Sequence, residues 1–298
     1  MDWRQFVMDL ETLHREIVED VLLRHGAAAI TLSNAGETPV LEPAPGETPL
    51  WPAMRITGLF SGAADFDALR SDLCQALGIS ALPPNQVTDL QDRDWEREWM
   101  RDFGPMRFGS RLWICPGDAV ASDSNAIVVR LDPGLAFGTG THATTALCLE
   151  WLDSLDIDNK TILDYGSGSG VLAIAALLLG CSHALAMDID PQAIIATRAN
   201  AARNQVGDRL SLVDGPRQVH GTFDVVVANI LAGPLVQFAE SIAAHVAGGC
   251  VLALSGILSE QIDEVLSAYR PWIEFDEPTY RQQGGQIWAR LTGRRIEG

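Results

Sequence analysis

One short run, Asp164-Tyr165-Gly166-Ser167-Gly168-Ser169-Gly170, carries the most specific chemistry in this sequence. An apolar strand pattern, Ile162-Leu163, precedes it, and an apolar helical stretch from Val171 to Leu179 follows, ending at Gly180. Alternate glycines let backbone N–H groups and a tight turn approach a ligand with no Cβ in the way. A dinucleotide fingerprint counted from Gly166 would need glycine at position 171, where Val171 stands, so a nicotinamide cofactor is excluded at the third glycine. Asp188 ends the next strand pattern, 22 residues beyond Gly166, where a carboxylate can accept both hydroxyls of a ribose. A turn role for Asp188 is the weaker alternative. Asp190 precedes Pro191, the arrangement of a helix N-cap with proline at the first helical position, and is assigned to structure. Asp214 ends the third strand pattern and has two readings of equal weight: a contact to an adenine amine, or a turn with Gly215-Pro216.

The fourth strand pattern runs into Asn229, whose amide carbonyl can accept from a cofactor or from an incoming amine. A structural turn asparagine is the competing reading. Upstream, residues 131–145 form a glycine-rich loop that opens a helix. It reads either as a helix start with threonine caps or as a lid over the ligand. His142 in that segment could serve as a base, although a histidine at a helix start is more often a cap or a surface residue.

The elements that must position these residues fall into two groups. Residues 1–90 show strand patterns at 3–10, 27–32, 54–60 and 86–90, with helices at 11–25 and 65–77. The order βαββαβ is the split βαβ, ferredoxin-like pattern. Residues 91–130 form a connector: a densely charged helix over 91–103 with Trp95 and Trp99 one turn apart, then strands at 107–115 and 126–131. From 131 to 298 strand and helix patterns alternate, with strands near 161–165, 184–188, 210–214, 223–229 and 250–255. That alternation predicts a doubly wound, mostly parallel sheet, whose ligands sit at the carboxyl ends of the strands.

Composition removes several classes. The chain has 298 residues, 39 acids against 21 bases and a net charge of −18, so no basic field exists to hold a nucleic acid duplex. Residues 1–90 alone carry 13 acids and 5 bases. Lys160 is the only lysine and follows Asn159, which excludes a P-loop. Five scattered cysteines form no metal-binding or disulfide framework, so no metal is expected. With no secretory signal and no apolar run long enough to span a bilayer, the expectation is a reduced, cytoplasmic protein with no membrane partner.

The D-x-G-x-G-x-G run resembles motif I of the S-adenosylmethionine-dependent methyltransferases. The strings LDPGLAFGTGTHATT, LDYGSGSGVLAIAA, MDIDPQAI, VVANILAGPL and LSGIL, with DWEREWM, PMRFG, RLWICP and PGETPLW upstream, resemble the methyltransferase family of ribosomal protein L-eleven (L11), known as PrmA. The likeness covers nearly the whole chain. It implies a small ferredoxin-like substrate-recognition domain, a linker helix and a Rossmann-like class I methyltransferase domain. It also implies S-adenosyl-L-methionine as cofactor and the lysine ε-amines and N-terminal α-amine of L11 as acceptors. Carried over by motif, the cofactor residues are Thr145, Gly166, Asp188 and Asn229, with Asn229 also at the reacting amine. The Asn/Asp-Pro-Pro-aromatic clamp common among methyltransferases of planar amino groups is missing after Asn229, which disfavours a nucleobase acceptor. Departures from the family pattern are small: Tyr165, Ser167 and Ala143.

Overall fold

The computed structural model describes residues 3–11, 13–36, 53–90, 104–131 and 140–297. The chain divides into two compact units, Met1–Glu98 and Trp99–Gly298.

In the first unit, β1 (Trp3–Asp9), β2 (Ala29–Asn34), β3 (Met54–Ser61) and β4 (Asn85–Leu90) form a sheet in the order β2-β3-β1-β4, every neighbouring pair antiparallel. Alternation along β1 and β3 sends Phe6, Met8, Ile56 and Phe60 to one face. There they meet Val18, Val21 and Leu22 of α1 (Arg15–Arg24) and Leu69 and Leu73 of α2 (Phe66–Leu77). Asp65 caps α2 by accepting from Asp67 N and Ala68 N, and Gly78 closes it at φ 67°. The first helix starts four residues later than its apolar spacing suggests. Glu11 sits at φ 46° and Leu13 N donates to Leu10 O, so the chain turns after Leu10 before the helix begins at Arg15.

The second unit begins with a small sheet of β5 (Met106–Phe108), β6 (Leu112–Pro116) and β7 (Ile127–Leu131). The single strand expected over 107–115 is a hairpin. The buried Asp153 carboxylate takes Ser110 N, Ser110 Oγ and Arg111 N, and these bonds hold the chain reversal at Gly109-Ser110. This sheet shares its core with α3 (Ala143–Ser154) and α4 (Val171–Leu178), so residues 106–131 belong to the second unit. The expected connector helix over 91–103 and loop residues 132–139 lie outside the described residues.

The main sheet runs β10 (Leu210–Val213), β9 (His183–Met187), β8 (Thr161–Tyr165), β11 (Phe223–Asn229), β12 (Val246–Leu258), β15 (Gln286–Arg295), β13 (Ile273–Phe275). The strands from β10 to β12 are parallel, as the alternating pattern predicts. β15 runs against β12, β13 and β14 (Thr279–Gln283), an antiparallel end absent from the sequence reading. Alternate residues of the strands face opposite layers. Ile162, Ala184 and Val225 pack with α3 and α4, whereas Leu163, Leu185 and Val226 pack under the helices after β11. Helix α4 is apolar on all sides and all but its last residue is buried. The strand order reverses between β8 and β11, which opens a crevice at the carboxyl ends of those strands.

Candidate functional site

That crevice is a cavity of about 580 Å³, within the ~300–1,000 Å³ of small-molecule sites. Its two halves differ in chemistry.

The half over β8 and β9 is built from backbone. Gly166 N and Ser167 N both donate to Met187 O, tying the glycine turn to the tip of β9. Thr197 Oγ1 and Asn200 Nδ2, on α5 (Pro191–Arg203), take the carbonyls of Gly168 and Ser169. Asp188 is half-buried in the cavity wall. Its Oδ2 accepts from Gly168 N at 2.8 Å and its Oδ1 from Asp190 N at 3.0 Å. A carboxylate has about four acceptor positions, so two remain for ligand hydroxyls. Asp190 caps α5 through Gln192 N at 2.9 Å, the structural task assigned to it. Asp214 is exposed, bonds Gln218 Nε2 and lies outside the cavity wall, whereas Pro216 belongs to it.

Beneath the turn lies Asp164, 1 % exposed. Its Oδ2 accepts from Ala173 N at 3.1 Å, and its Oδ1 has no partner among the described residues. Burial, helped by the charge of Asp188, pushes the carboxyl up to about 7 despite the Ala173 bond. Folding therefore adds a proton at Asp164 between about pH 4 and about pH 7, and its contribution to stability falls as pH rises through that window. We expect Asp164→Asn to remove this component, on the order of a few kcal/mol. Melting curves of both proteins at about pH 5 and about pH 8 decide it: the unaltered protein should lose more stability between them. An equal loss in both would assign the slope to other groups.

The half over β11, β12 and β15 is apolar, with Asn229 at the tip of β11. Asn229 Nδ2 donates to Thr145 Oγ1 at 3.2 Å, and its Oδ1 is buried without a partner among the described residues. Thr145 is fully buried behind Asn229, and Thr144 and His142 form the wall instead. The structure thus brings Gly166, Asp188 and Asn229 to one cavity and places Thr145 one layer back. Ile230, next to Asn229, is wedged between two glycines. A Cβ on Gly166 would lie 2.3 Å from Ile230 Cγ2, and one on Gly256 would lie 2.1 Å from the Ile230 carbonyl oxygen. Gly256 sits at φ 87°, where the β12–β15 register shifts between Ser255 and Ile257.

His142 is both cap and wall. Its Nδ1 accepts from Thr144 N and lies 2.9 Å from Thr144 Oγ1, and its ring packs edge-on against Trp288 with centroids 4.7 Å apart. Burial holds the imidazole below its ordinary pKa, so it is neutral near pH 7. Nδ1 is taken up at the helix start by Thr144, so the ring is held as a cap. Trp288 and Phe238 complete the apolar wall and were missed from sequence. The only signal was a tryptophan in an alternating strand pattern after Gly284-Gly285.

The groups lining the cavity bear on the ligand class. Asp164 already occupies the Ala173 amide in the first turn of α4, so that N–H is closed to a pyrophosphate. What remains is an acid for a ribose, a glycine cradle, an orphaned amide oxygen and an apolar chamber, which fit S-adenosylmethionine. A doubly wound sheet with this switch-point crevice and an antiparallel final strand is that of a class I S-adenosylmethionine-dependent methyltransferase. The model of the family described as ribosomal protein L11 methyltransferase (PrmA) matches residues 2–296. A ribosomal protein L11 methyltransferase of Klebsiella pneumoniae is 48 % identical over 298 residues, covering 99 % of this chain and 100 % of that protein. One from Shewanella woodyi is 47 % identical over 296 residues, covering 98 % and 99 %. The crystal structure of a ribosomal protein L11 methylase from Lactobacillus delbrueckii subsp. bulgaricus superposes with a TM-score of 0.59 at 31 % identity, covering 65 % of this chain and all of that one. This chain belongs to the ribosomal protein L11 methyltransferase (PrmA) family.

Among the described residues no cluster of ligating side chains could hold a metal, and no helix is long and apolar enough to cross a membrane.

Proposed function

We propose that this chain transfers methyl groups from S-adenosylmethionine to ribosomal protein L11, at lysine ε-amines and the N-terminal α-amine. The observation that carries the reading is end-to-end likeness to proteins of that name. When bound, the cofactor supplies an electrophilic methyl group on a sulfonium. Asp188 and the glycine turn hold its nucleoside, and Asn229 Oδ1 accepts from the incoming amine. A lysine amine, with pKa near 10.4, must first become neutral. The apolar walls Trp288, Phe238 and Leu231 favour the uncharged amine by desolvation. Among the described residues the cavity wall on this side carries no carboxylate, and His142 is committed to its cap, so positioning supplies most of the acceleration.

The first unit is read as a ferredoxin-like recognition domain, supported by its element order and antiparallel sheet. Its acidic surface suits a basic partner. No direct nucleic acid contact is expected, and a ribosomal-protein substrate with five unpaired cysteines in the enzyme supports a cytoplasmic site of action. The test is labelled methyl transfer to purified L11, with ribosomal RNA and free amines in parallel. Label on RNA and none on L11 would overturn the proposal. In the same assay Asn229→Ala should lower kcat roughly 10- to 100-fold while cofactor affinity changes far less, since the lost bond is made to the reacting amine. Unchanged turnover at saturation would leave Asn229 a turn residue.

A further inference from the structure

The β14–β15 hairpin presents one face to α3. Directly opposed residues of an antiparallel ladder share a face, here Thr279 with Arg290, Arg281 with Trp288, and Gln283 with Gln286. From that face Arg281 Nη2 donates to Glu150 Oε1 at 2.7 Å, and Arg290 Nη1 donates to the Leu147 carbonyl. Trp288 meets the His142 ring. Gln283 reaches the start of the helix: its Oε1 accepts from Ala143 N, and its Nε2 donates to Thr141 O at 3.1 Å. One carboxamide therefore bridges the backbone on both sides of His142. On the opposite face Tyr280 and Ile287 are exposed.

We propose that Gln283 is a positioning residue for methyl transfer. It fixes residues 141–143, and through them holds His142 and Thr144 in the cavity wall and Thr145 against Asn229. Gln283 itself is exposed and lies outside the cavity wall, so it acts through the segment it grips. Two bonds of opposite polarity, spanning 140 and 142 residues of sequence, set both the height and the rotation of the helix start. A misplacement of about 1 Å at a reacting centre costs up to ~100-fold in rate. The segment serves the amine side of the cavity, so the effect should fall on turnover and leave nucleoside binding at Asp188 intact. This inference rests on the methyltransferase reading given above.

The test uses the full chain with Gln283→Ala and Gln283→Glu. The glutamate keeps the acceptor for Ala143 N and sets a carboxylate against the Thr141 carbonyl. Cofactor Kd is measured by titration, kcat and KM on L11, and the Trp288 environment by ¹⁹F resonance of 5-fluorotryptophan-labelled protein, assigned by its loss in Trp288→Phe. For Gln283→Ala we expect kcat to fall roughly tenfold, Kd to stay within about twofold and the Trp288 resonance to move; Gln283→Glu should lower kcat and move the resonance in the same direction, with Kd again within about twofold. A kcat within about twofold of the unaltered enzyme, a parallel loss of cofactor affinity, or an unmoved Trp288 resonance would each overturn the proposal. An unaltered enzyme that leaves L11 unmethylated removes the functional reading instead. The titration and the resonance then still decide whether Gln283 holds the helix start.

Discussion

Asp188→Ala is expected to weaken S-adenosylmethionine binding roughly 10- to 150-fold, about 1.5–3 kcal/mol, the scale for hydrogen bonds to a charged group. Two losses combine. The ribose hydroxyls lose their acceptor, and Gly168 N and Asp190 N lose the carboxylate that holds them. Freed of that bond, the glycine turn must be ordered by the ligand, and that ordering opposes binding. Asp190→Ala is the control on the same strand tip. It should cost about 1 kcal/mol of stability, the scale of a lost N-cap, and leave affinity nearly intact. Calorimetric titration and thermal melts of both variants separate the roles. Affinity lost in Asp190→Ala and kept in Asp188→Ala would reverse the assignment.

Removal of the first unit should abolish methylation of L11 and spare cofactor binding. Among the described residues, every one that lines the candidate cavity lies between His142 and Trp288. Among the described residues, the buried core of the first unit runs from Phe6 to Leu73, and the buried residues of the two large cores of the second unit begin at Phe108. Each unit therefore has the apolar core that independent folding needs. A fragment beginning at Trp99 should bind S-adenosylmethionine within about twofold of the full chain and lose on the order of 100-fold or more in methyl transfer to L11. The isolated first unit should bind L11 with affinity that falls as salt rises, because screening shortens from ~10 Å at 0.1 M to ~3 Å at 1 M. Full methylation by the shorter fragment would show that the second unit selects its own substrate.

Most of the nucleoside half of the site was legible in the sequence because it is local. A strand, a glycine turn, a helix and a capped second helix follow one another between Thr161 and Arg203, and each has its own signal in residue type or period. Asp188 and Asp190 could be told apart because Pro191 marks the helix start. The other half was less legible. Both Thr144 and Thr145 read as cap threonines, and only the rotation of α3 decides that Thr144 faces the cavity and Thr145 faces Asn229. Packing sets that rotation, because ten of the helix's twelve residues that follow His142 are apolar or buried polar and give no amphipathic phase.

By itself the sequence determined the parallel strands, their order along the chain, the glycine turn and the acids at the strand tips. These depend on contacts within a few residues, where side-chain period and capping chemistry act directly. Tertiary structure alone decided the antiparallel end of the sheet and the residues it supplies. β14 is exposed at four of its five positions and so carries no apolar period, and Trp288 meets His142 only because β15 takes one register against β12 and β14. Register is a property of paired strands, set by bulges such as that at Gly256 and by the turn at Gly284-Gly285, and a single strand's side-chain pattern does not contain it.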